Sequence, residues 1–195
     1  MKITAKAIAF TALLSAIICA LSPWTIPVGI IPISLASFGV YLASGVIDFR
    51  YGSAATFAYV LIGGIGLPVF SGGKGGFGVI AGPTGGYIIG YIFLALIAGL
   101  IIDLFGKSTR IWVYPLAFIA GTAVLYALGT GWYIVSTGAD IVTALGVCVL
   151  PFLIGDSIKI TVATVVAFPV RRAVSGMLQS RHAERREKPD KDMKA

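Results

Sequence analysis

Residues Gly63 to Gly90 read GGIGLPVFSGGKGGFGVIAGPTGGYIIG and hold twelve of the chain's 25 glycines. The stretch sits in the middle of an apolar chain, between two segments with the composition of membrane helices. So many glycines leave few side chains, and a helix there is poorly supported. The backbone can instead adopt positive φ and come close to another group. Pro68 and Pro83 each remove a backbone donor and disfavour helix at the residue before them. Phe70, Phe77 and Tyr87 break the glycines with flat apolar faces. Two readings follow: an ordered, non-helical loop that closes over or lines something, or a flexible connector. Composition alone leaves both open.

The rest of the chain sets the solvent. Of 195 residues, 57% are hydrophobic and only 12% charged, and the mean hydropathy is +0.95. Such sparse charge does not cover a globular surface, and the apolar runs are too long for a soluble core. The net charge of +7 raises the question of nucleic acid. Its distribution argues against that partner, because the basic residues flank apolar runs and fill the C-terminal tail. Cys19 and Cys148 lie inside apolar runs and read as small hydrophobes, with no metal-ligand spacing. His182 stands in the polar tail, where neither a metal nor a catalytic role is expected. Lys2 and Lys6 ahead of an apolar run resemble a signal peptide, but the run is long and lacks a clean cleavage site.

Six spans are expected in an all-α integral membrane protein: Ile3–Leu21, Ile33–Ile47, Ser53–Ile65, Gly85–Leu104, Ile111–Leu128 and Pro151–Val170. The fifth is read as ending at Gly129-Thr130-Gly131, with a less defined segment, Trp132–Val149, leading into the sixth. Placing both termini in the cytoplasm puts thirteen basic residues inside and leaves only Lys74 in the outer loops. The glycine-rich loop between spans three and four then lies at the outer face. Residues 1–176 read as one membrane domain and 177–195 as a polar, basic, disordered cytoplasmic tail. No long internal repeat is visible, which weighs against an inverted-repeat transporter.

Asp156 and Lys159 stand three apart in the apolar run of the last span, on one helical face. Charge in a membrane is expensive even when paired, so the pair is expected to face the protein interior. It either fixes helix packing as an internal salt bridge or receives a ligand, the ammonium attracting a carbonyl or carboxylate and the carboxylate accepting from N–H groups. Catalysis is not expected, since no histidine, second carboxylate or activated nucleophile accompanies the pair. Lys74, flanked by Gly72-Gly73 and Gly75-Gly76, either contacts an anion or is solvated, and its surroundings do not form a phosphate loop. Ala5 and Ala9, followed by Ala12, Ala16 and Ala20, give the first span small residues at four-residue spacing. Such a face serves internal packing or contact with another membrane subunit.

Five blocks stand in order along the chain: Val28 to Leu35, Gly66-Leu67-Pro68-Val69-Phe70 with the glycines after it, Gly82-Pro83-Thr84-Gly85-Gly86-Tyr87, Leu150-Pro151-Phe152-Leu153, and Gly155-Asp156 with Lys159. Together they resemble the BioY family, the biotin-binding S components of energy-coupling factor (ECF) vitamin transporters. The resemblance implies six helices, cytoplasmic termini and capture of biotin at the outer face of the cell membrane, in a cavity capped by loops. It implies that Asp156 accepts from the ureido N–H groups and that Lys159 binds the carboxylate or ureido oxygen. Phe70, Phe77 and Tyr87 would flank the apolar ring, with Gly73 and Lys74 in the lid. Ala5 and Ala9 fall on the family's docking motif for the transmembrane coupling subunit (T component), which works with two cytoplasmic ATPases. No cofactor is implied. Where family members often carry Gln-Thr after Ile-Ser-Leu, this chain has Ala36-Ser37, which weakens the expectation of a polar ligand contact from the second helix. Relatives for other vitamins share the fold, and a self-sufficient ion-coupled carrier is the reading from a different class.

Overall fold

The structure, a computed structural model, describes residues 5–27, 31–106 and 110–192, with side chains described as far as Val174. Its helices are α1 (Ala5–Leu21), α2 (Ala36–Val46), α3 (Phe49–Gly64), α4 (Phe77–Ala81), α5 (Gly85–Ile101), α6 (Val113–Thr137), α7 (Ile141–Cys148) and α8 (Leu150–Asp192). A π-helical turn, Ile102–Gly106, continues α5. Two short strands, β1 (Thr25–Ile26) and β2 (Ile33–Ser34), pair antiparallel between α1 and α2. Gly85–Phe105, Val113–Thr137 and Ile141–Val174 are long and apolar enough to cross a membrane. α1, α2 and α3, at 17, 11 and 16 residues, fall where further spans are expected.

α2 is the axis of the bundle. Nine of its eleven residues are buried, and six of those nine are Ala, Gly or Ser. Small residues let neighbouring backbones approach, the usual way helices pack where lipid gives no hydrophobic drive. α1, α3, α5 and α8 surround it, and α5 packs most extensively on α6. Two cations of α8 hold α2 at both ends. Lys159 donates to the Ser34 carbonyl just before it, and Arg171 donates to the Gly45 and Ile47 carbonyls at its end.

Several expected boundaries move, and α8 runs past Val170, the expected end of the sixth span, to Asp192. α6 does not stop at Gly129-Thr130-Gly131 but runs on to Thr137, because Gly129 is a packing position. A Cβ there would lie 2.5 Å from the Tyr87 ring, so the glycine admits Tyr87 rather than ending the helix. α6 ends at Gly138, whose φ of +71° suits glycine. The segment Trp132–Val149 therefore divides between the end of α6 and the separate helix α7. The helix in the expected second span begins at Ala36, since Ile33 and Ser34 are taken by the strand pair. α3 starts at Phe49, four residues earlier than expected, where its N–H donates to the Asp103 carboxylate at 2.9 Å. The expected tail, 177–195, lies outside the residues whose side chains are described.

The glycine run forms a short broken loop, then α4. Phe70 and Lys74 pair across a tight turn, with the Phe70 N–H donating to the Lys74 carbonyl at 2.8 Å. Gly72 and Gly73 make that turn at φ of +72° and +70°, a conformation that costs other residues roughly 1–2 kcal/mol. The Gly72 N–H also donates to the Pro23 carbonyl at 3.3 Å, joining this loop to the one after α1.

Candidate functional site

A cavity opens under the glycine loop, between β2, α2, α3, α5, α6 and α8, with about 720 Å³ of space that is partly open to solvent. Its deep wall is polar. Asp156 and Lys159 are both buried, and the ammonium lies 2.9 Å from the Asp156 Oδ1. Lys159 also donates to the Ser34 carbonyl at 2.7 Å and to the Ser37 hydroxyl at 3.1 Å. An ammonium has three protons, and each has a protein acceptor.

Asp156 is less completely used. Its Oδ1 accepts from Lys159 and from Ser37 at 3.3 Å, and its Oδ2 accepts from the Tyr126 hydroxyl at 2.7 Å. A carboxylate offers about four acceptor positions, so one remains on a group that lines the cavity. Asp156 can thus take one N–H from a ligand without giving up a protein partner.

The side walls are aromatic. Tyr87 stacks on Phe152 with centroids 6.2 Å apart, and its hydroxyl donates to the Cys148 carbonyl at 2.7 Å. Tyr59 meets Phe70 edge-on at 5.6 Å and shares a 2.7 Å hydrogen bond with Ser22. Phe70 reaches the inside because Gly63 has no side chain: a Cβ at Gly63 would lie 2.2 Å from its ring. Packed aromatic rings hold flat apolar ligands well and lose little entropy in doing so.

Of the residues singled out in the sequence, Asp156, Lys159, Tyr87, Phe70 and Lys74 all line this cavity. Phe77 does not: it begins α4 and is 74% exposed. Gly73 shapes the turn beside Lys74 and is not among the lining residues. Ala5 and Ala9 lie exposed on α1, away from the cavity. Ser37, Tyr126 and Ser34 went unrecognised. α2 contributes one polar group to the lining, Ser37, which bonds Asp156 and Lys159. Its shortness hid it, since Ser37 reaches the cavity only because α2 packs directly on α8. No group of three His, Cys, Asp or Glu side chains that could hold a metal occurs among the described residues.

The apolar bundle, with a charged pair and an aromatic box under a glycine loop, defines a membrane-embedded binding protein for a small amphipathic solute. The profile of the BioY family matches residues 1–176. The chain belongs to the BioY family, and it is a multi-pass cell-membrane protein. It is similar to the biotin transporter BioY of Thermotoga maritima, 38% identical over 171 residues, covering 86% of this chain and 94% of that one. It also resembles biotin transporter BioY2 of Lactococcus lactis subsp. cremoris, 35% identical over 167 residues, covering 84% and 89%. Among solved structures, the S-component for biotin from an ECF-type ABC transporter superposes with a TM-score of 0.81 at 27% identity, covering 88% of this chain and 95% of that one.

Proposed function

We propose that this protein is the substrate-binding S component of an ECF-type ABC transporter and that it captures biotin at the outer face of the membrane. One observation carries the reading: a buried carboxylate with one acceptor position left lines a cavity walled by aromatic rings. Biotin is a fused bicycle with a ureido group at one end and a four-methylene acid chain at the other. Its ureido N–H fits the remaining position on Asp156, while its apolar bicycle fits between Tyr87, Phe152, Tyr59 and Phe70. Six spans with cytoplasmic termini match the thirteen-to-one bias of basic residues and put the glycine loop outside.

Energy would come from elsewhere. Ala5, Ala9, Ala12, Ala16 and Ala20 are all exposed on α1, a small-residue face suited to close approach by a T component, which couples to two ATPases. Binding, rather than turnover, is the activity that fits a site with no base–nucleophile pair. Calorimetric titration of the purified protein with biotin tests the assignment. Saturable heat at one site per chain supports it, and a folded protein that gives none refutes it. Ala5→Trp combined with Ala9→Trp is expected to abolish uptake in the assembled transporter while leaving that titration unchanged.

A further inference from the structure

Two lysines line the cavity, and they are not equivalent. The three protons of the Lys159 ammonium are taken by Ser34, Ser37 and Asp156. Drawing the ammonium towards a ligand anion would break up to three buried bonds and strand the Asp156 charge, a costly change in a low-dielectric interior. Lys74 has no such obligations. Its side chain is exposed where it lines the mouth, and among the described residues no carboxylate pairs with it.

We infer that Lys74, in the glycine loop, is the residue that selects a ligand bearing a carboxylate, and that Lys159 instead positions Asp156. The inference rests on the biotin reading above. Charge arithmetic supports it. Asp156 and Lys159 cancel, so Lys74 leaves the cavity lining with one net positive charge, which a monocarboxylate neutralises. Position supports it too. With the ureido end deep at Asp156, the acid chain extends towards the mouth, where Lys74 sits.

The loop anchors the backbone of Lys74 and leaves its side chain free. Its carbonyl accepts from the Phe70 N–H, and the Gly73 N–H donates to the Phe70 carbonyl at 3.0 Å. Phe70 itself is buried against Gly63 and Tyr59. A flexible four-carbon stem on a fixed Cα lets a compact ammonium find a carboxylate without moving the loop.

The test compares biotin with biotin methyl ester, which keeps the bicycle and loses the charge, by calorimetry on the full-length protein in detergent. The wild-type protein is expected to bind biotin about 10- to 100-fold more tightly than the ester, the range for one hydrogen bond to a charged group. Lys74→Gln should remove that gap by weakening biotin alone, and Lys74→Arg should keep most of it. Lys159→Met should weaken both ligands together. A gap that survives Lys74→Gln, or one that disappears in Lys159→Met while the ester still binds normally, overturns the assignment and leaves the biotin reading standing. If the folded wild-type protein binds neither compound, the biotin reading itself fails and this assignment goes with it.

Discussion

Helix α8 carries two buried ion pairs, and they differ in what surrounds them. Near its start, Asp156 and Lys159 line a cavity, and one acceptor position on the carboxylate is unused. Three turns further on, Arg171 is buried against the Asp103 carboxylate, the Gly45 and Ile47 carbonyls and, at 3.6 Å, Asp48. The second oxygen of Asp103 accepts from the Phe49 N–H. That cluster closes on itself and ties α8 to the α2–α3 corner and the end of α5. Both pairs carry the desolvation cost of charge in an apolar bundle. Only one leaves a lone pair facing space, and that separates the proposed binding site from a fastener.

The sharpest way to break this contrast is Arg171→Met. It strands Asp103 beside a buried methionine and is expected to cost about 3–5 kcal/mol of stability, read by thermal unfolding in detergent. Biotin affinity should stay within about 2-fold, because Arg171 is roughly 18 Å along the helix from Lys159 and distant sites act independently. Strong loss of affinity in a variant that is still folded would show that the two ends are coupled. Asp156→Asn also leaves a buried charge, the Lys159 ammonium, without its partner and should lower stability, but unlike Arg171→Met it is expected to lower affinity as well, by about 10- to 100-fold.

Tyr126→Phe is the subtler test of the same site. It removes the hydroxyl that occupies Oδ2 of Asp156, and affinity is expected to drop about 5-fold, the worth of one ordinary hydrogen bond. An unchanged titration would mean the tyrosine does not orient the carboxylate. The smallest effect belongs to Asp140, which caps α7 by accepting from Val142 and Thr143 at 3.1 and 3.0 Å. Hydrogen bonds from the Thr143 side chain and backbone hold its carboxyl below the ordinary value. A lowered value stabilises the cap above about pH 4 and is lost as the pH falls through it. Asp140→Ala should therefore speed amide exchange at Val142 and Thr143 at neutral pH, and the difference should vanish in acid.

Much of this was legible in the sequence because it is local. Asp156 and Lys159 share a face by their spacing alone, and the glycine run announces a broken loop. What stayed hidden depends on contacts between distant positions. Ser37 reaches Asp156 across 119 residues, and Tyr126 reaches it from another helix. Phe70 and Phe77 look alike in sequence, yet the pocket left by Gly63 draws one inside while the other stays on the surface. Gly129 read as a terminator because the ring that fills its missing side chain belongs to α5. A glycine in a pattern does not say whether it serves a turn or a neighbour.

The double clasp between α2 and α8 has a mechanical consequence. Lys159 pins one end of α2 through Ser34, and Arg171 pins the other through Gly45 and Ile47. A beam fixed at both supports does not slide or pivot against its mate. If the protein delivers a solute inward as proposed, the motion is expected to carry these two helices as one strut, swinging the whole body or shifting its lighter loops. Spin labels on α2 and α8 should keep their separation through a transport cycle, while their tilt against the bilayer is free to change.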